Sequence, residues 1–160
     1  MEYLKPYTTE NFQLVKDKCY TRELKDGRKC TKVTIIGPND KKYTGRAFVP
    51  VEDLEYFNHL TGYMIAEKRA YISYMKKTSK ELFELRKSLR DIVKYNSTFY
   101  SNKELKEMNH KIVELSKAIN TAKERIKMAY KLIDKQIETS YDTMKKINAL
   151  AALPDEGQNS

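Results

Sequence analysis

A chain of 160 residues is about one domain's worth, and 33% charged residues with only five glycines and four prolines exclude a collagenous or disordered polymer and favour long helices. The net charge of +9 favours an anionic partner such as nucleic acid, nucleotide phosphates or an acidic protein surface, although lysines spread along helices for solubility give the same figure. No apolar run approaches the roughly 18 residues of a membrane span, and residues 1–6 lack the apolar stretch of a signal peptide, so a cytoplasmic protein without a membrane is expected.

Residues 12–49 carry a β pattern. Segments 18–24 and 29–36 flank the turn signal Asp26-Gly27, and 43–49 follows a second turn in Gly37-Pro38-Asn39-Asp40, which predicts a three-stranded antiparallel meander. Thr31, Val33 and Ile35 alternate with Cys30, Lys32 and Thr34, so one face should be covered and the other wetter. If Asp26-Gly27 is a two-residue hairpin turn, paired residue numbers sum to 53. Cys30 then faces Glu23 and Cys19 faces Thr34. The two cysteines, the only ones in the chain, would be about 13 Å apart. That is beyond disulfide reach, so both are expected to be reduced.

Pro50 stops the sheet, and acids in Val51-Glu52-Asp53-Leu54 begin a helical stretch that either breaks near residues 58–62 or tolerates Gly62. A first long helix is predicted over about 60–94, with the stripe Ile65, Ile72, Met75, Leu82, Leu89 and Val93. Residues 94–100 form a loop, and Ser101-Asn102-Lys103-Glu104 fits a capping box that starts a second helix over about 101–152. Fourteen consecutive heptad positions from Leu105 to Leu150 include eleven apolar residues, the seam of a helix that needs a partner. The short loop makes the two helices antiparallel and sets Leu60 near residue 138. Residues 139–152 then overhang the first helix and must bury Met144, Ile147 and Leu150 against the sheet or against another chain. A homo-oligomer, dimer or higher, is therefore expected. The fold class is α+β, mostly helical, with a β-meander over residues 1–50, a helical hairpin over 51–153 and a flexible tail over 154–160.

Motifs of catalysis are missing: there is no Gly-rich phosphate loop, His-Glu-x-x-His, Cys-x-x-Cys or Gly-x-Ser-x-Gly pattern, and His59 and His110 lie in separate segments. No catalytic residue, metal or cofactor is expected. The loop is the most suggestive chemistry, because Tyr95, Phe99 and Tyr100 cluster just before a capped helix start. Free amides and the positive dipole end suit a phosphate there, and a ring suits a base. Arg69, Lys76, Lys77, Lys103 and Arg125 could add charged contacts. Spacing alone favours the plainer reading, in which Phe99 and Tyr100 plug the hairpin tip. A different reading lays nucleic acid on a basic sheet through Arg22, Lys25, Arg28, Lys29, Lys41, Lys42 and Arg46; Glu23, Asp26 and Asp40, interleaved with them, disfavour it. A third makes the seam a coiled-coil inhibitor of a host protein.

The stretch Lys42-Tyr43-Thr44-Gly45-Arg46-Ala47 through Val51-Glu52-Asp53, then Leu60-Thr61-Gly62-Tyr63-Met64-Ile65-Ala66-Glu67-Lys68-Arg69-Ala70, resembles the phage anti-Thoeris sponges. In those small proteins a Gly-x-Ala strand leads to a helix carrying Thr-Gly-x-x-Ile-Ala-x-x-Arg-Ala, and a hairpin tip holds an aromatic residue with an Asn ten positions later. Phe99 and Asn109 have that spacing. The resemblance, over about residues 29–135, implies a non-catalytic protein that sequesters a cyclic ADP-ribose signal in the host cytoplasm. Phe99 would stack on the adenine, Asn109 would contact polar groups, and Lys76 or Lys77 would take a phosphate where the family tends to have arginine.

Overall fold

The segments flanking Asp26-Gly27 do form a hairpin, but one residue away from the expected register. The computed structural model describes residues 3–154; most of the expected tail, 155–160, lies outside them. Strand β2 (Tyr20–Glu23) pairs with β3 (Lys29–Ile36) so that Arg22 faces Cys30 and Glu23 faces Lys29. The cause is the turn. Leu24 N–H donates to Arg28 O at 2.7 Å, and Gly27 has φ of 88°, giving a three-residue loop that ends on a left-handed glycine rather than a two-residue turn. Paired numbers therefore sum to 52, and the single-residue slip moves Glu23 to the opposite face of the sheet.

Strand β4 (Lys42–Val49) pairs along the other side of β3, from Lys29↔Val49 to Ile36↔Lys42. A short strand β1 (Gln13–Leu14), inside the β-patterned stretch but additional to the three expected strands, completes the sheet beside Ile35 and Ile36. The central position of β3 explains why Cys30 and Thr34 are buried as well as Thr31, Val33 and Ile35, where strict alternation predicts a wetter second face. Flanking strands shield it on both edges.

A 3₁₀ turn over Val51–Tyr56 follows Pro50, and the chain breaks at Phe57-Asn58. Asn58 then caps helix α1 (His59–Tyr95), its side-chain oxygen accepting the Thr61 amide at 3.2 Å. Gly62 lies in the first turn of α1 because the sheet requires it there: a Cβ would come within 2.9 Å of Thr31 Oγ1. Helix α2 (Asn102–Ala151) returns antiparallel. Ser140 Oγ donates to Thr61 Oγ1 at 3.1 Å, and Arg86 donates to Ser116 Oγ at 3.1 Å. Residue 61 thus meets residue 140, close to the expected pairing of Leu60 with residue 138.

The overhang of α2 is covered in part by the 3₁₀ turn. Tyr141 Oη donates to Asp53 at 3.1 Å, the rings of Tyr56 and Tyr141 lie 5.7 Å apart, and Asn148 donates to Glu55 O at 3.1 Å. Met144 is half-buried, whereas Ile147 and Leu150 stay exposed.

The protein is α+β and mostly helical. One apolar cluster joins sheet and hairpin, with Val33, Ile35 and Ala47 against Ile65, Ala66, Ala70, Ile72, Ala122 and Ile133, so the segments 1–50 and 51–153 share a core. A second, separate cluster, Leu82, Leu115 and Ile119, holds the far half of the hairpin. Among the described residues no helix is long and apolar enough to cross a membrane.

Candidate functional site

The bend between the helices is built from its ends inward. Asn96 closes α1, its amide donating to Ile92 O, and a 3₁₀ turn over Ser97–Phe99 carries the chain to Ser101. The capping box is present in full: Glu104 N–H donates to Ser101 Oγ at 3.2 Å, and Ser101 N–H donates to the Glu104 carboxylate at 2.7 Å. Ser101→Ala should lower stability by about 1 kcal/mol, read as a shifted thermal midpoint with unchanged helicity at low temperature. The box also limits the anion site, since a carboxylate already stands at this helix start and takes part of its positive field.

Rings surround the bend without entering the core. Phe99 is 80% exposed and Tyr95 is 69% exposed, with Tyr100 also outside. A plug for the hairpin tip would be buried, so that reading is excluded for Phe99. Lys94 Nζ lies 5.0 Å from the centre of the Tyr95 ring, and Lys103 and Asn109 are exposed on the first turns of α2.

The other expected ligand contacts lie elsewhere. From Tyr95, nineteen helical residues separate the end of α1 from Lys76, about 28 Å at 1.5 Å per residue. Arg125 is about 35 Å along α2 from Asn102. Lys76 Nζ sits 5.1 Å over the ring of Tyr130, and Lys77 is exposed. Arg125 lines an open groove of about 540 Å³ with Tyr71, Met75, Met128 and Leu132. Arg69 donates to the carbonyl of Arg46 at 2.8 Å, tying α1 to β4. Within the chain the eight residues therefore form three groups: Phe99, Tyr100, Lys103 and Asn109 at the bend; Lys76, Lys77 and Arg125 along the hairpin; and Arg69 at the sheet.

The residues that carry the family resemblance have a packing role. A Cβ on Gly45 would lie 1.8 Å from the carbonyl oxygen of Ala66 and 2.4 Å from the amide of Ala70, so the Gly-x-Ala strand and the Ile-Ala-x-x-Arg-Ala helix touch backbone to backbone. Gly45, Ala66 and Ala70 build the sheet-to-helix contact, while Ala47, Thr61, Gly62, Ile65 and Arg69 of the same stretches line a small pocket with Ser140 and Tyr141 of α2.

A different group assembles where the sequence shows only scattered cations. The face of the sheet turned away from α1 carries Tyr20, Arg22, Lys32, Lys42, Arg46 and Phe48. Tyr20 and Phe48 are missed by a charge-based reading; their signal is their even-numbered places in strands whose odd-numbered residues form the core. Lys29 and Lys41 do not belong to this face. Lys29 Nζ lies 4.8 Å over Phe57, and Lys41 pairs with Glu81 of α1 at 3.5 Å.

The chain matches no known protein family, no curated protein and no solved structure.

Proposed function

We propose that the protein is a non-catalytic sponge that binds and sequesters a small cyclic nucleotide signal of the cyclic ADP-ribose class, and so blunts Thoeris-type defence in the manner of the proteins its sequence resembles. The observation that carries this reading is the bend, where Phe99, Tyr95 and Tyr100 stand outside the core beside Lys94 and Lys103. Exposed rings next to cations suit a base and its phosphates. The fold has no use for Phe99, which makes it free to serve a ligand.

A pocket shared between two copies would reconcile the spread of the remaining contacts. A second copy packed antiparallel along the hairpin would bring its Lys76, Lys77 and Arg125 to the first copy's Phe99 and Asn109. The apolar groove containing Met128 and Leu132 offers that copy a surface, in keeping with the surplus heptad seam. Enclosure between two pre-ordered rods would restrict water and give slow release, which sequestration requires.

Calorimetry with a cyclic ADP-ribose isomer tests the reading. Phe99→Ala and Asn109→Ala should each weaken uptake by about tenfold to hundredfold, while circular dichroism and the assembly size seen by light scattering stay unchanged because both side chains are exposed. Uptake that is absent in the parent protein, or equal in both variants, would overturn it.

A further inference from the structure

We infer that the sheet face turned away from α1 is a docking surface for single-stranded nucleic acid, separate from the bend. Three observations carry this.

The first is charge sorting. In the observed register the strand positions of this face hold four cations, Arg22, Lys32, Lys42 and Arg46, and no Asp or Glu. Glu23, which the expected register places here, stands opposite Lys29 on the other face. Asp26 is engaged by Arg28 at 2.7 Å, and Asp40 lies in the turn beyond β3. Among the described residues none of Arg22, Lys32, Lys42 and Arg46 has an ion-pair partner. A row of cations without acidic partners among the described residues is the electrostatic footprint of a polyanion site.

The second is the placement of rings among those cations. Tyr20, Lys32 and Arg46 lie side by side across the three strands, and Arg22, Cys30 and Phe48 form the next row. Tyr20 is 38% exposed and Phe48 47% exposed. The guanidinium of Arg22 and the ammonium of Lys32 each stand 5.8 Å from the Tyr20 ring, and Arg28 stands 5.4 Å from the Phe48 ring. Strand spacing and rise put the two rings about 12 Å apart, far enough for separate bases to rest on each while their phosphates meet the cations between. Bases can stack on a flat sheet only when they are splayed out of a helix, so the surface selects single strands over duplex.

The third is access. Helix α1 packs against the opposite face, where Gly45 meets Ala66 and Ala70 and Thr31 meets Gly62. Among the described residues no helix covers the outer face.

The test is fluorescence anisotropy of the intact protein with a labelled twelve-nucleotide oligouridylate and, separately, a duplex of the same length, over a series of salt concentrations. The single strand should bind at low salt and more tightly than the duplex. Tyr20→Ala and Phe48→Ala should each weaken it by about tenfold with the salt dependence retained. Lys32→Glu with Arg46→Glu should abolish it and flatten the salt dependence. Lys80→Glu with Lys87→Glu on α1 reverses as many charges away from the face and should leave binding in place. Circular dichroism checks that each variant folds, Lys32 being half-buried and the other substituted positions exposed. No binding at low salt, equal binding of duplex, or greater loss in the α1 variant than in the sheet variant would overturn the inference.

Discussion

Gly45→Ala is expected to lower stability by about 3 kcal/mol or more, beyond the usual range for adding one methyl group. The added carbon would sit 1.8 Å from the Ala66 carbonyl oxygen and 2.4 Å from the Ala70 amide. Both obstacles are helix backbone, which cannot rotate aside as a side chain can. Either the sheet lifts from α1 or the helix distorts, and each response opens the contact that buries Val33, Ile35 and Ala47. Chemical denaturation with the parent protein alongside reads the loss directly. A variant as stable as the parent would mean that the strand and helix are not in backbone contact. The expectation matters for function because Gly45 belongs to the motif on which the family resemblance rests: loss of ligand uptake in this variant would report unfolding, and only the bend variants report the site.

Leu115→Ala should cost about 3 kcal/mol, within the range for deleting a fully buried leucine. Its effect should be uneven along the molecule. Leu115, Leu82 and Ile119 form a cluster of their own, joined by half-buried Tyr3, Leu89 and Ala118, whereas the sheet rests on a different cluster nearer the start of α1. Emptying the distal cluster removes the local support for the bend and leaves the sheet contacts in place. Hydrogen exchange should therefore quicken over about residues 80–118 before it quickens in β3, because regions held by separate clusters open separately. Uniform acceleration through β3 would show instead that the hairpin and sheet unfold as one unit. Uptake at the proposed bend site should weaken with the distal hairpin, and the proposed single-strand binding at the sheet should persist, which gives a way to separate the two surfaces.

Much of the architecture is legible from local pattern. The stripe of apolar residues, the capping box at Ser101 and the turn signals at Asp26-Gly27 and Gly37-Pro38 each report interactions among near neighbours. They give α1, α2, β3 and β4 nearly to the residue. The candidate site is legible only as an inventory. Phe99 and Asn109 are singled out together only by the family resemblance, and no pattern tells that Lys76 lies about 28 Å from the bend, or that Arg69 is committed to the Arg46 carbonyl. Tyr20 and Phe48 pass unnoticed because a lone ring in a strand is read as core, whereas on the even-numbered face of this sheet only residues of the central strand are buried and the rings of β2 and β4 stay exposed.

The sequence by itself determined the two long helices and the strands β3 and β4, where the second helix begins, and that a long apolar seam must be covered. These follow from periodicity and capping, whose causes lie within a few residues along the chain. Tertiary structure alone decided the hairpin register, the burial of both faces of β3, and the separation of unpaired cations from their acidic neighbours. A single left-handed glycine at position 27 sets that register, and a shift of one residue exchanges the faces of a strand. Such an outcome depends on which turn fits the sheet twist and the packing against α1, and those forces act between residues that are distant in the chain.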